Sequence, residues 1–154
     1  MRNKVILCLG SNTDCEANLK SADELLLAYF GSVRFSEAAY TKPVGLPGSG
    51  LFLNQVAIAG TDVPLEGVRQ ALKGMEKQLG RMPDSKRKGE IPIDIDLLLW
   101  NGTILKPADW EKEYVQLLFR SVADGCHDDE RSDAYSPSVG VYDQFIHDSG
   151  TQSL

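Results

Sequence analysis

Strand-like and helix-like stretches alternate along this chain, and their order limits the folds open to it more than any other feature. Val5 to Leu9 is an apolar run ending in Gly10-Ser11-Asn12, the pattern of a buried strand followed by a turn. Thr13-Asp14-Cys15-Glu16 has the form of a capping box, with Thr13 accepting from the backbone and Glu16 reaching back. The helix opened there places Leu19, Ala22, Leu26 and Tyr29 on one face and closes at Gly31. Val33, Phe35 and Ala39 to Thr41 predict a second strand. Leu51 to Ala59 predicts a third, with Phe52, Asn54, Val56 and Ile58 on one face. Pro64 suits the first turn of a helix in which Leu65, Val68, Leu72, Met75 and Leu79 repeat at helical spacing up to Gly80. Ile91 to Trp100 is the strongest strand pattern, and Asn101-Gly102 predicts a tight turn into a short partner at Thr103 to Leu105. Trp110, Tyr114, Leu117 and Leu118 predict a third helix.

The order β-α-β-β-α-β-β-α implies helices packed on a mostly antiparallel sheet, an α+β sandwich of the ferredoxin-like type. At 154 residues the chain suits one domain, placed at residues 1–123. Residues 124–154 form an acidic C-terminal segment without periodicity, expected to be irregular or mobile. Seven of the chain's acidic residues fall there against Arg131 alone, so the net charge of −6 belongs to that segment and residues 1–123 are neutral. A neutral body lacks the basic surface that phosphate backbones require, which argues against nucleic acid as a partner. Cys8, Cys15 and Cys126 are widely spaced, as reduced thiols in a cytoplasmic protein would be. No stretch reaches the ~20 apolar residues of a membrane span, and Val5 to Leu9 is too short for a signal-peptide core. A cytoplasmic monomer or weak dimer is the expectation.

Chemistry enters at Ile93-Asp94-Ile95-Asp96-Leu97. Side chains two apart on a strand share a face, with about 7 Å between their backbone positions. Two carboxylates at ~7 Å and an effective dielectric near 20 repel by about 2 kcal/mol before desolvation. Divalent cations relieve that repulsion and prefer carboxylate oxygens, and two such ions can share a pair and neutralise a transferring phosphoryl group. Equally, Asp94 and Asp96 would be stable on a solvated strand face. Arg81, Lys86, Arg87 and Lys88, just upstream, could reach phosphate oxygens or form an ordinary solvated loop.

Read together, five segments resemble 6-hydroxymethyl-7,8-dihydropterin pyrophosphokinase, a folate-pathway family. They are Gly10-Ser11-Asn12, Thr41-Lys42-Pro43-Val44-Gly45, Phe52-Leu53-Asn54, Glu76-Lys77-Gln78-Leu79-Gly80-Arg81 and Ile93-Asp94-Ile95-Asp96-Leu97. The resemblance implies transfer of diphosphate from ATP to the hydroxymethyl group of a reduced pterin, with release of AMP. It implies that Asp94 and Asp96 hold two Mg2+ ions, with Arg81 and Arg87 catalytic beside them. Thr41, Val44, Gly45, Phe52 and Asn54 would line the pterin pocket, and Glu76, Lys86 and Lys88 would lie near the nucleotide. The loop from Pro43 to Gly50 resembles a family loop that closes over substrates.

The chain also departs from the family pattern. Where Arg-Trp-Gly-Pro-Arg is usual, it has Arg87-Lys88-Gly89-Glu90-Ile91, and Pro107-Ala108 stands in place of Pro-His. Tyr114 aligns with a family arginine and Gln116 with a pterin-stacking aromatic. Lysine does not reproduce a bidentate arginine contact, so these changes bear on turnover more than on the fold. Two other functions fit the same sequence: a catalytically weak or silent pterin- or nucleotide-binding paralogue of the same fold, and a ferredoxin-like regulatory or assembly module without a ligand.

Overall fold

A computed structural model of the chain describes residues 2–42, 51–124 and 139–141. Strand β1 (Asn3–Ser11) lies at the centre of the sheet, as its run of fully buried Val5, Leu7 and Leu9 requires. It pairs antiparallel with β4 (Phe52–Thr61) on one side and with β5 (Asp94–Trp100) on the other. Strands β2 (Val33–Phe35) and β3 (Ala38–Thr41) pair successively along the outer edge of β4. Between them the chain kinks at Ser36, whose hydroxyl accepts from Val56 N–H at 2.9 Å and whose carbonyl accepts from Gln55 at 3.0 Å. The kink thus keeps its buried polar groups satisfied. A short β6 (Thr103–Ile104) returns along the end of β5, and β7 (Val139–Val141) pairs parallel with β3. The sheet order β6-β5-β1-β4-β3-β7 contains the ferredoxin-like arrangement in its four central positions.

Helices α1 (Cys15–Phe30) and α2 (Leu65–Gln78) bury Leu19, Leu26, Val68 and Leu72 with Val5, Leu7, Leu9 and Ile93 on one face of the sheet. On the opposite face, α5 (Glu113–Asp124) buries Val115, Leu118 and Val122 against Ile6, Val56, Ile58 and Leu98. That helix covers only part of its face. The uncovered part, over the Gly10 end of β1, is where the candidate site lies.

Several local expectations are corrected. The capping box does not form: Asp14 is the N-cap in a left-handed conformation, Thr13 donates to Asn12, and Glu16 accepts from Tyr40 across 2.8 Å. Phe30, not Tyr29, completes the buried face of α1, because Tyr29 is turned to solvent. The third helix is two, α4 (Pro107–Trp110) and α5, broken at Glu111–Lys112. The ladder of β5 begins only at Asp94, since before it Ile91 is tied to Asn12 in the turn after β1 and the Ile93 carbonyl accepts from Arg81 instead. Strand β7 falls inside the segment expected to be irregular; the remaining residues past 124 lie outside the described ones. The Asn101-Gly102 turn has positive φ at both positions (51° and 83°), as a two-residue hairpin needs.

Asn12 does more than end a strand. Its Nδ2 donates to Gly89 O at 2.8 Å, its Oδ1 accepts from Ile91 N–H at 2.7 Å, and its own N–H donates to Ile91 O at 3.0 Å. One side chain therefore fixes the end of the polar 81–90 segment onto β1. Asn12→Ala is expected to cost about 1–2 kcal/mol, from three lost side-chain hydrogen bonds, one of them from Thr13, and the backbone groups left behind. A lowered melting temperature should accompany faster amide exchange through residues 85–92. Unchanged exchange there would show that the clamp is not needed.

Candidate active site

Strand register assembles the floor of the site. Gly10 on β1 lies between Asp94 on β5 and Asn54 on β4, and Cys8, next on the same face, stands opposite Asp96. A side chain at Gly10 would fill this row, since an added Cβ would sit 3.2 Å from Asn54 Oδ1 and 3.6 Å from Phe52. Glycine here keeps acid pair and amide on one continuous open floor. The resulting cleft has a volume of about 800 Å³.

At one end of the floor, Asn54 is 4% exposed and donates through Nδ2 to Thr41 Oγ1 at 2.7 Å and to Phe52 O at 3.3 Å. Thr41, Phe52 and Asn54, all expected to bind substrate, thus line one wall together. Val44 and Gly45 lie outside the described residues.

At the other end the two acids have protein partners. Arg81 Nη1 donates to Asp94 Oδ1 at 2.8 Å and to Ile93 O at 3.2 Å, and Lys106 Nζ donates to Asp96 Oδ1 at 3.0 Å. The unrelieved repulsion inferred from sequence is therefore corrected, because each carboxylate has its own cation. The compensation is incomplete. Burial first, and then the charge of Asp94, push Asp96 up to about 7 against the opposing pull of Lys106. Burial also lowers the Lys106 ammonium, but its hydrogen bond to Asp96 prevails and holds it above its ordinary value.

The raised carboxyl gives a signed expectation for metal-free protein. Between 3.8, the value of an ordinary aspartate, and about 7, folded Asp96 keeps a proton that the unfolded chain has lost. Stability should then fall as pH rises through about 7, by roughly 1–2 kcal/mol between about pH 5.5 and 8.5. Glu76, also raised by burial, acts in the same direction. Melts in EDTA that rose with pH across this window would contradict the assignment.

Glu76 is neither exposed nor free to turn. Its Oε2 accepts from Ile95 N–H at 2.7 Å, on the edge of β5 that β6 does not reach, and lies 3.8 Å from Arg81. It clamps β5 between the two aspartates. Lys86 lines the cleft, as do Arg69 and Lys73 of α2 and Lys112. Arg87 and Lys88 do not. They follow Lys86 on the one-turn helix α3 (Ser85–Lys88), and successive helical residues point about 100° apart. Arg87 and Lys88 are therefore carried outward, where both pair with Asp84 at 3.6 and 3.4 Å. Tyr114 lines the cleft, whereas Gln116 donates to Trp110 O and ties α5 to α4.

Lys106 escaped the sequence reading. A two-residue turn at Asn101-Gly102 pairs Trp100 with Thr103 and Leu99 with Ile104. Continued two residues, that register would set Lys106 opposite Leu97, on the other face from Asp96; the contact arises because the chain leaves the ladder after Ile104.

Asp94 and Asp96 fit a hard divalent cation: two half-buried carboxylates on one strand face, at the open end of a polar cleft. Among the described residues no group of three or more His, Cys, Asp or Glu could hold a metal. An ion here would complete its shell with water and substrate oxygens, as Mg2+ commonly does.

A family model for 7,8-dihydro-6-hydroxymethylpterin-pyrophosphokinase (HPPK) matches residues 6–124, taking in the last six of the nine residues of β1 and every element through α5. The chain belongs to the HPPK family. A 122-residue stretch is 30% identical to the folate synthesis bifunctional protein of Arabidopsis thaliana, covering 73% of this chain and 25% of that protein. A solved structure of an HPPK-DHPS in complex with substrates aligns over 86% of this chain and 34% of that one, at 16% identity and a TM-score of 0.47. The chain therefore spans about a quarter of the length of the plant relative and a third of that structure. Among the described residues no helix is long and apolar enough to cross a membrane.

Proposed function

We propose that this chain catalyses diphosphate transfer from ATP to the hydroxymethyl group of 6-hydroxymethyl-7,8-dihydropterin. The hydroxymethyl oxygen forms a bond to the β-phosphorus while the bond from that phosphorus to the α,β-bridging oxygen breaks. AMP leaves with that oxygen, and the hydroxyl proton passes to solvent or a phosphate oxygen. Family membership supports the reaction class. The observation that carries it into this chain is one cleft in which a row of three strands joins Asn54, Gly10 and Asp94.

Thr41 and Asn54 would pair with the polar edge of the pterin while Phe52 contacts its ring. Arg81, anchored through Nη1 to Asp94 and Ile93 O, has further guanidinium donors to offer phosphate oxygens. Lys86 and Lys112 add positive charge along the cleft. Glu76 acts at one remove, holding Ile95 and so the spacing of the two acids. Two Mg2+ ions at Asp94 and Asp96 would supply neutralisation of the transferring phosphates. The deciding assay is AMP formation that requires both the hydroxymethyl-dihydropterin and Mg2+. Pterin binding without AMP would point instead to a silent paralogue, and binding of neither substrate would overturn the site.

A further inference from the structure

Arg81 and Lys106 neutralise the acid pair in different ways. Arg81 has two hydrogen bonds through Nη1, stands near Glu76, and is 24% exposed. Lys106 is 47% exposed, and among the described residues its Nζ has a single partner, Asp96. It leaves the β5–β6 hairpin on a flexible four-carbon stem, beside Asp109 and Lys112 on the cleft wall. Of the two cations paired with the acids, Lys106 is the one the fold holds least.

We propose that Lys106 is the resident counter-ion of the metal site: a divalent cation must displace it from Asp96, and its ammonium then passes to a phosphate of the nucleotide. The proposal rests on reading Asp94 and Asp96 as metal ligands. Its physical basis is exchange of one cation for another at a shared oxygen. A lone metal ion must break the Lys106–Asp96 pair and leave an ammonium beside itself, with no new anion to meet it. A metal ion arriving with a polyphosphate brings that anion. Lys106 therefore makes the empty site resist bare metal and couples metal binding to nucleotide binding, which by linkage is reciprocal.

The test is Mn2+ binding, followed by the electron paramagnetic resonance of free Mn2+, to the full chain and to Lys106→Met and Lys106→Arg, with and without a non-hydrolysable ATP analogue. Lys106→Met keeps the stem and removes the charge. It should bind Mn2+ alone about three- to tenfold tighter, on the order of what one nearby unit charge does at a half-exposed site. The enhancement of Mn2+ affinity by the analogue should shrink by a similar factor. Lys106→Arg, which keeps the charge, should stay within about threefold of the parent chain. Unchanged or weaker Mn2+ binding by Lys106→Met overturns the proposal, and an undiminished effect of the analogue overturns the transfer to phosphate. Absence of Mn2+ binding from every form, with or without the analogue, would instead remove the metal assignment of Asp94 and Asp96, and this proposal with it.

Discussion

Asp96→Asn should reduce AMP formation at least about a thousandfold, while the metal-free protein melts no earlier than the parent chain. The loss follows from the task assigned to this carboxylate. A metal ion stabilising a transferring phosphoryl group contributes several kcal/mol, and about 4 kcal/mol corresponds to a factor of a thousand in rate. An amide oxygen binds a hard cation far less well than a carboxylate does. The retained stability has a separate cause. Folding pushes Asp96 up to about 7, so at pH 8 its charge opposes the folded state. Asparagine removes that charge yet still offers Lys106 an acceptor in place of the 3.0 Å contact. Measured together, AMP release and a melt in EDTA separate the roles: unaltered turnover would discard the metal assignment, and a marked drop in melting temperature would make Asp96 structural.

Arg81→Met is expected to damage both properties. A single preorganised cationic donor is commonly worth about a hundredfold or more in rate, and Arg81 is the one described arginine hydrogen-bonded to the acid pair. Its removal also leaves Asp94 and the half-buried Glu76 as neighbouring acids without the guanidinium between them. A partly buried pair broken on one side should cost about 1–2 kcal/mol, between the surface and fully buried cases. Arg81→Lys discriminates further. It should recover part of the stability, because a charge returns, but little of the rate, because lysine lacks the fork that spans Asp94, Ile93 O and a phosphate at once. Full recovery of rate by lysine would reduce Arg81 to a point charge.

The two substitutions differ in a way the sequence reading did not foresee. From sequence, Asp94 and Asp96 are equivalent neighbours on a strand. In the fold, Asp94 is held by an arginine with several anchors, and Asp96 by a half-exposed lysine. Glu76 shows a similar gap. The family resemblance implied a place near the nucleotide, and the fold adds another role, closing the open edge of β5. Arg87 and Lys88 erred the other way, because closeness in sequence to Lys86 says nothing about which side of a one-turn helix each occupies.

What the sequence determined alone is the succession of elements and the residue types on each strand face, because both follow from local periodicity. The alternation of period two and period 3.6 was enough for the ferredoxin-like sheet, and the spacing of Asp94 and Asp96 was enough to place them on one face. The tertiary structure alone decided which distant groups neutralise them. Arg81 and Lys106 come from opposite ends of β5, one from the turn after α2 and the other from beyond a hairpin. Their convergence depends on strand register and helix packing, which no window of neighbouring residues encodes. Asn12 and Gly10 depend on the same long-range pairing. One clamps a loop nearly eighty residues away, and the other leaves room between strands β4 and β5 for the cleft itself.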